Sequence, residues 1–248
     1  MILTSDIGSV LADDVSTLAI LQDRELSPAV LAGLKDLKFP DNLGLLPTDD
    51  VSRLAFRMMQ EVVASFPATP GVAFMDDLAA DFAAIYLTGA LGASPYESYW
   101  LSDDHLICQD AMFDMRTLYA EEGLKVPDWR MRPDDHLVFQ LQFFARQLSK
   151  AGKDDDWRSL ANFLDYHLLR WLPDFASRVV NRCDAPFYAA LALLTDVWCQ
   201  QLRDLIVHHL GEARLTPEDI EESLSLQRKM EIKEVPIHFV PGGAGPSW

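Results

Sequence analysis

Apolar residues along this chain recur at three- and four-residue spacing from one end to the other, and runs of strict alternation bounded by turn residues are almost absent, so the pattern predicts an all-α protein. Ser27-Pro28 opens a short amphipathic helix. Thr48-Asp49-Asp50 caps a longer one whose Val51, Leu54, Ala55, Met58, Val62 and Phe66 are expected to share a buried face, closed by Pro67 and Pro70. A third helix carries Met75, Leu78, Ala79, Phe82, Ile85 and Tyr86 and gives way to the loop Gly89 to Pro95.

In the second half, Ser102 is expected to cap a helix running through Glu122 to Gly123, and Asp134 to cap another bearing Leu137, Leu141, Phe144 and Leu148. The loop Lys125 to Arg130 lies between them. Asp154-Asp155-Asp156 starts a helix with Trp157, Leu160, Leu164, His167 and Trp171, which Pro173 is expected to interrupt. Asp184 precedes a long helix from Pro186 to Leu210, stopped by Gly211 and apolar on nearly every face, which predicts a central position. Thr216-Pro217-Glu218-Asp219 starts a last helix to about Met230, and Glu234 to Gly243 reads as extended.

The expected architecture is a single-domain bundle of nine to eleven helices. Residues 1–92 form an N-terminal helical layer, and 93–135 hold loops, a connecting helix and a hinge near Val126-Pro127. Residues 136–230 form a C-terminal layer, followed by an extended tail at 231–248.

Composition narrows the partners. With 248 residues and 49% hydrophobic content the chain can build a core without staples, and Cys108, Cys183 and Cys199 follow neither a disulfide nor a zinc pattern. The first residues lack the basic and apolar parts of a signal peptide, and no apolar run is long enough to span a bilayer, which places the expected protein in the cytoplasm with no stable membrane insertion. Twenty-one Lys and Arg against 38 Asp and Glu give a formal charge of −17, which repels nucleic acid and, as an acidic rim, would attract a basic partner.

Motifs for catalysis are missing: there is no phosphate-cradling loop, no dinucleotide fingerprint, no nucleophile elbow and no HExxH. No catalytic, metal or cofactor site is assigned. His208-His209 point about a hundred degrees apart on a helix and suit a helix end better than one metal. His105, after Ser102-Asp103-Asp104, fits a capped helix start better than an oxygen-rich metal site, and His167 lies on an apolar stripe.

Two patches stand out. Pro95-Tyr96-Glu97-Ser98-Tyr99-Trp100-Leu101 sets three aromatics around one carboxylate, a composition that suits either a binding surface or packing under the loop. Pro133-Asp134-Asp135-His136 brings carboxylates and an imidazole to a helix start, where capping and chemistry are both open readings. A helical hydrolase or metal-dependent enzyme using His136 with Asp134 or Asp135 is the alternative from another class.

In order and spacing these patches resemble the TorD/DmsD/NarJ family of redox-enzyme maturation chaperones. The resemblance runs over roughly residues 50 to 210. It takes in the Leu78-x-x-Asp81-Phe82-x-x-Ile85-Tyr86-x-x-Gly89 helix, Pro95 to Leu101, Tyr119 to Leu124, the segment from Pro133 to Leu148, Trp171 to Phe175 and Ala185 to Tyr188. It implies a TorD-like, non-catalytic all-α chaperone that binds the twin-arginine leader and apoenzyme of an exported molybdopterin oxidoreductase, delaying export until the cofactor is inserted. Carried over residue by residue, it implies leader binding by Tyr96, Glu97, Tyr99, Trp100, Leu101, Pro133, Asp135 and His136, in a monomer or a domain-swapped dimer. One departure stands out: many relatives have Glu before the Pro of the Asp-His motif, and this chain has Arg132.

Overall fold

The computed structural model describes residues 3–234, with side chains described to 226 and at Lys229. The chain divides into two compact units, Met1–Arg214 and Leu215–Trp248. Among the described residues there is no β-strand, in keeping with the helical periodicity.

Among the described residues, the first unit contains ten helices. They are α1 (Ser5–Asp23), α2 (Pro28–Asp36), α3 (Asp50–Ser65), α4 (Val72–Phe82), α5 (Glu97–Leu101), α6 (Asp110–Glu121), α7 (Leu137–Leu148), α8 (Asp154–Phe163), α9 (Leu169–Arg182) and α10 (Pro186–Leu210). Single π-helical turns, Ala83–Leu87 and Leu164–Leu168, follow α4 and join α8 to α9. Several starts follow from caps legible in the chain. Ser27 accepts from the Val30 N–H with Pro28 at the first helical position, and Asp49 and Ser52 form a reciprocal capping box. At the other end of α10, Gly211 adopts φ 71°, the left-handed stop that glycine takes without strain.

Helix α10 is the axis of the unit, as its apolar sequence predicts. Phe187, Leu191, Leu194 and Trp198 are fully enclosed, and α3, α8 and α9 pack around it. The other main seam joins α1 to α7, whose backbones approach closely because Gly8 has no side chain: a Cβ there would stand 2.6 Å from the Leu148 carbonyl oxygen. Helices from the two ends of the chain thus share one core, with α1 on α7 and α3 on α10. Buried polar pins cross it. Asp14 accepts from the Gly44 and Leu45 N–H groups and from Trp198 Nε1, and Arg203 holds Asp165 through two bonds of 2.9 and 2.7 Å.

Several sequence expectations are corrected. In α3 the buried face is Ser52, Ala55, Phe56, Met59 and Val63, while Val51 and Leu54 lie exposed. The stripe is rotated because α10 contributes Gln201, whose amide donates to Ser52 Oγ at 3.1 Å and draws a polar residue inward. Ser102 does not cap a helix to Glu122. It ends α5, its N–H bonding the Ser98 carbonyl, and α6 begins only at Asp110. Pro173 does not interrupt its helix but sits inside α9, just beyond a π-helical turn, a wider stretch of backbone that accommodates the proline's missing hydrogen bond.

The second unit contains α11 (Pro217–Glu234), started by Thr216 and Asp219, which exchange bonds of 3.1 and 3.0 Å in a capping box. The helix runs four residues past the predicted Met230, so residues 231–234 are helical rather than tail, and 235–248 lie outside the described residues. No described helix is long and apolar enough to cross a membrane.

Candidate functional site

The two patches singled out in the sequence, 38 residues apart at their starts, meet in the first unit. The short segment before α5 runs antiparallel to the segment before α7: Tyr96 and His136 form an isolated β-bridge, the Leu137 N–H donates to the Pro95 carbonyl at 2.8 Å, and the Glu97 N–H to the Asp135 carbonyl at 3.2 Å. This pairing determines where both helices start. Asp135 turns its Oδ2 to the Ser98 N–H at 2.8 Å, satisfying a donor in the first turn of α5.

The cap of α7 is His136, not Asp134. Its Nδ1 accepts from the Val138 N–H at 3.1 Å, which puts the ring proton of the neutral imidazole on Nε2. Asp134 is engaged elsewhere: Arg116 of α6 holds its carboxylate at 2.8 Å, and Tyr119 donates to its carbonyl at 3.0 Å. Arg116 lies against the Trp129 and Phe113 rings, so α6 and the loop before Pro133 are clamped to the same point.

The polar groups of the junction face inward. Glu97 is 1% exposed, and Asp135 and His136 are fully sealed, with Pro133 also buried. Glu97 accepts from Gln140 Nε2 at 2.5 Å and stands 3.1 Å from His167 Nδ1 on the π-helical turn before α9. Burial pushes Asp135 up to about 6 against the pull of the Ser98 bonds. Burial, reinforced by the Arg132 charge, holds His136 down to about 3, so the ring stays neutral. Three buried polar atoms here have no partner: Asp135 Oδ1, Gln140 Oε1 and His136 Nε2.

Above this floor the aromatics form a half-buried rim. The Tyr96 ring stands edge-on to His136 at 5.0 Å. Tyr99 packs edge-on to Trp100 at 5.3 Å, and Trp100 donates to the Ser94 carbonyl at 2.8 Å with the Arg178 guanidinium 5.3 Å over its ring. Leu101 is likewise half-buried. Of the eight predicted residues, the structure brings all to one junction and divides them: Tyr96, Tyr99, Trp100 and Leu101 reach solvent, while Glu97, Pro133, Asp135 and His136 support them from beneath.

Arg132, where many relatives carry an acid, binds the end of α1. Its guanidinium donates to Asp23 Oδ1 at 2.6 Å and to the Asp23 carbonyl at 3.1 Å, and lies 5.6 Å from the centre of the Phe139 ring. Partial burial pushes the Asp23 carboxyl up, but the bonds and charges of Arg132 and of the adjacent Arg24, which donates to its Oδ2 at 2.8 Å, outweigh it and hold the group below the ordinary aspartate value. Sequence reading missed Ser98, Gln140, Arg116 and His167 as supports. His167 lies seventy residues from Glu97, and nothing local signals that pairing. Nor do the other histidines gather. His209 accepts from the Leu3 N–H and approaches Asp154, and His105 lies in a loop rather than at a helix start. Among the described residues no three His, Cys, Asp or Glu side chains are placed to hold a metal ion. The enzyme alternative, built on His136 with Asp134 or Asp135, meets a sealed ring and a carboxylate already bound to Arg116.

Comparison with known proteins fits this arrangement. The chain is 31% identical over 147 residues to Chaperone protein TorD of Shewanella loihica, covering 57% of this chain and 66% of that one. It is 33% identical over 133 residues to Chaperone protein TorD of Vibrio cholerae, covering 50% and 60%, and 27% identical over 132 residues to that of Vibrio parahaemolyticus, covering 50% and 61%. The chain thus spans under two thirds of the length of these relatives. The model of the nitrate reductase delta subunit family matches residues 54–177, half of the chain and the half that contains both patches. On that match, the chain belongs to the nitrate reductase delta subunit family, the TorD/NarJ family.

Proposed function

We propose that the protein is a cytoplasmic chaperone for redox-enzyme maturation. It binds the twin-arginine leader and apoenzyme of an exported molybdopterin oxidoreductase and delays export until the cofactor is in place. The observation that carries this reading is the junction itself: a half-exposed aromatic rim of Tyr96, Tyr99, Trp100 and Leu101, held in place from within by the sealed Glu97, Asp135 and His136. The apolar part of such a leader suits Tyr96, Tyr99, Trp100 and Leu101, and its arginines suit a protein with an excess of carboxylates. The formal charge of −17 favours encounter with such a basic segment, so added salt is expected to slow association more than dissociation. The names of the relatives support the chaperone class.

Calorimetry with a twin-arginine leader peptide tests the reading. Trp100→Ala removes the largest rim side chain and is expected to weaken binding by roughly tenfold or more, with the helical circular-dichroism signal unchanged. Asp135→Ala is expected to weaken binding as well, by removing the bond to the Ser98 N–H that positions α5 and its aromatics. Undiminished affinity in both variants would take these residues out of the site.

A further inference from the structure

Next to the rim, the chain from Ser102 to Gln109 departs from the helix its sequence suggests. Two of its residues that are not glycine, His105 and Cys108, hold φ values of 53° and 61°, a conformation that side chains with a Cβ rarely adopt. Local bonds hold the segment in place. The Leu106 N–H donates to Ser102 Oγ at 2.8 Å and the Gln109 N–H to Ser98 Oγ at 3.2 Å. The His105 ring stacks on Tyr99 at 4.9 Å with its Nδ1 2.9 Å from the Tyr99 carbonyl. This arrangement directs two large apolar side chains outward, Leu106 at 52% and Ile107 at 46% exposure, and α6 then exposes Phe113. Asp103 and Asp104 are exposed beside them and form no ion pair among the described residues.

A fixed apolar ridge flanked by uncompensated carboxylates fits one kind of ligand, a polypeptide segment that is both apolar and basic. Nucleic acid offers little apolar surface, and both it and anionic lipid are repelled by the carboxylates. The ridge is continuous with the aromatic rim, since Tyr99 carries the His105 ring and Ser98 anchors Gln109. Resting on the proposed function, we infer that Asp103, Asp104, Leu106 and Ile107 form a second docking surface. It receives the far part of the leader's apolar stretch, with the carboxylates facing flanking basic residues, while the rim holds the arginine pair and the start of that stretch. The strained turns keep Leu106 and Ile107 presented in the free protein, which reduces the ordering cost on binding.

The test uses the full chain, two peptides and one double variant, Leu106→Ser with Ile107→Ser, both at exposed positions outside the junction. One peptide contains the arginine pair and the following apolar stretch; the other ends after the arginine pair. The double variant is expected to bind the long peptide about tenfold to a hundredfold more weakly than wild type, and the short peptide with unchanged affinity. Asp103→Asn with Asp104→Asn is expected to flatten the salt dependence of long-peptide binding. If wild type and the double variant bind the long peptide equally, the second surface is overturned and the leader reading stands. If wild type binds neither peptide, the leader reading falls and this surface with it. Far-UV circular dichroism and the short-peptide affinity establish that the double variant is folded.

Discussion

Replacing Asp135 by Asn tests the electrostatics of the junction through pH. The carboxyl is sealed, accepts from the Ser98 N–H through Oδ2 and has no partner for Oδ1, and burial raises it from 3.8 to about 6. Between these values the unfolded chain releases a proton that the folded chain keeps, so the native state binds more protons and stability falls as pH rises. The contribution is fully present below pH 3.8 and lost as pH climbs through 6, and at about 1.4 kcal/mol per pH unit the loss amounts to about 3 kcal/mol. Asn keeps an oxygen for Ser98 but does not titrate. Whatever constant cost its amide adds, the stability of the variant relative to wild type is expected to rise by about 2 kcal/mol between pH 4.5 and 8, mostly below pH 6.5. The His136 contribution is common to both proteins and cancels in the difference. Urea unfolding followed by tryptophan fluorescence at each pH measures the quantity. A difference flat to within about 0.5 kcal/mol across that range would refute the assignment of a raised, buried Asp135.

The neighbouring imidazole works in the opposite direction: His136, held at about 3 against an ordinary 6.5, contributes stability that is present above 6.5 and lost as pH falls toward 3. Its NMR signals are expected to show a neutral ring with the proton on Nε2 down to pH 4.5, and a native-state titration near 6.5 would contradict the buried cap. Gly8→Ala drives a Cβ to 2.6 Å from the Leu148 carbonyl, so despite alanine's better helix propensity the variant is expected to lose about 1–3 kcal/mol in urea unfolding; a stabilised variant would mean α1 and α7 do not cross there. Arg203→Ala removes the bidentate partner of Asp165 in a site where both side chains are almost fully enclosed, and is expected to cost about 3–5 kcal/mol; a loss under about 1 kcal/mol would show the pair to be solvated.

Local chemistry made much of the fold legible. Ser27-Pro28, Asp49 with Ser52, Thr216 with Asp219, and the Pro186 to Gly211 helix announce themselves because caps, proline and a left-handed glycine act within a few residues. Helix α1 carries the same kind of local signal, a Thr4 cap followed by periodic Leu11, Val15 and Leu18. In α3 two apolar stripes run side by side, and only the Gln201 amide on α10 determines that Ser52 rather than Val51 turns inward.

The candidate site shows the same division. Its residue types and their order along the chain were sufficient to single out Pro95 to Leu101 and Pro133 to His136, because aromatics beside carboxylates and an Asp-His helix start are local patterns. Their roles came from pairing across the chain. The Tyr96–His136 bridge starts α5 at Glu97, and this turns the segment after Ser102 into a strained loop instead of a helix. Arg116 takes Asp134, so His136 becomes the cap, and Gln140 and His167 close over Glu97. By itself the sequence determined the helical class, several helix starts and the two patches, since those rest on interactions within one turn. Only the tertiary structure decided which face each helix buries, which carboxylates are sealed and which aromatics meet solvent, because burial and hydrogen-bond partners are properties of groups far apart in the chain.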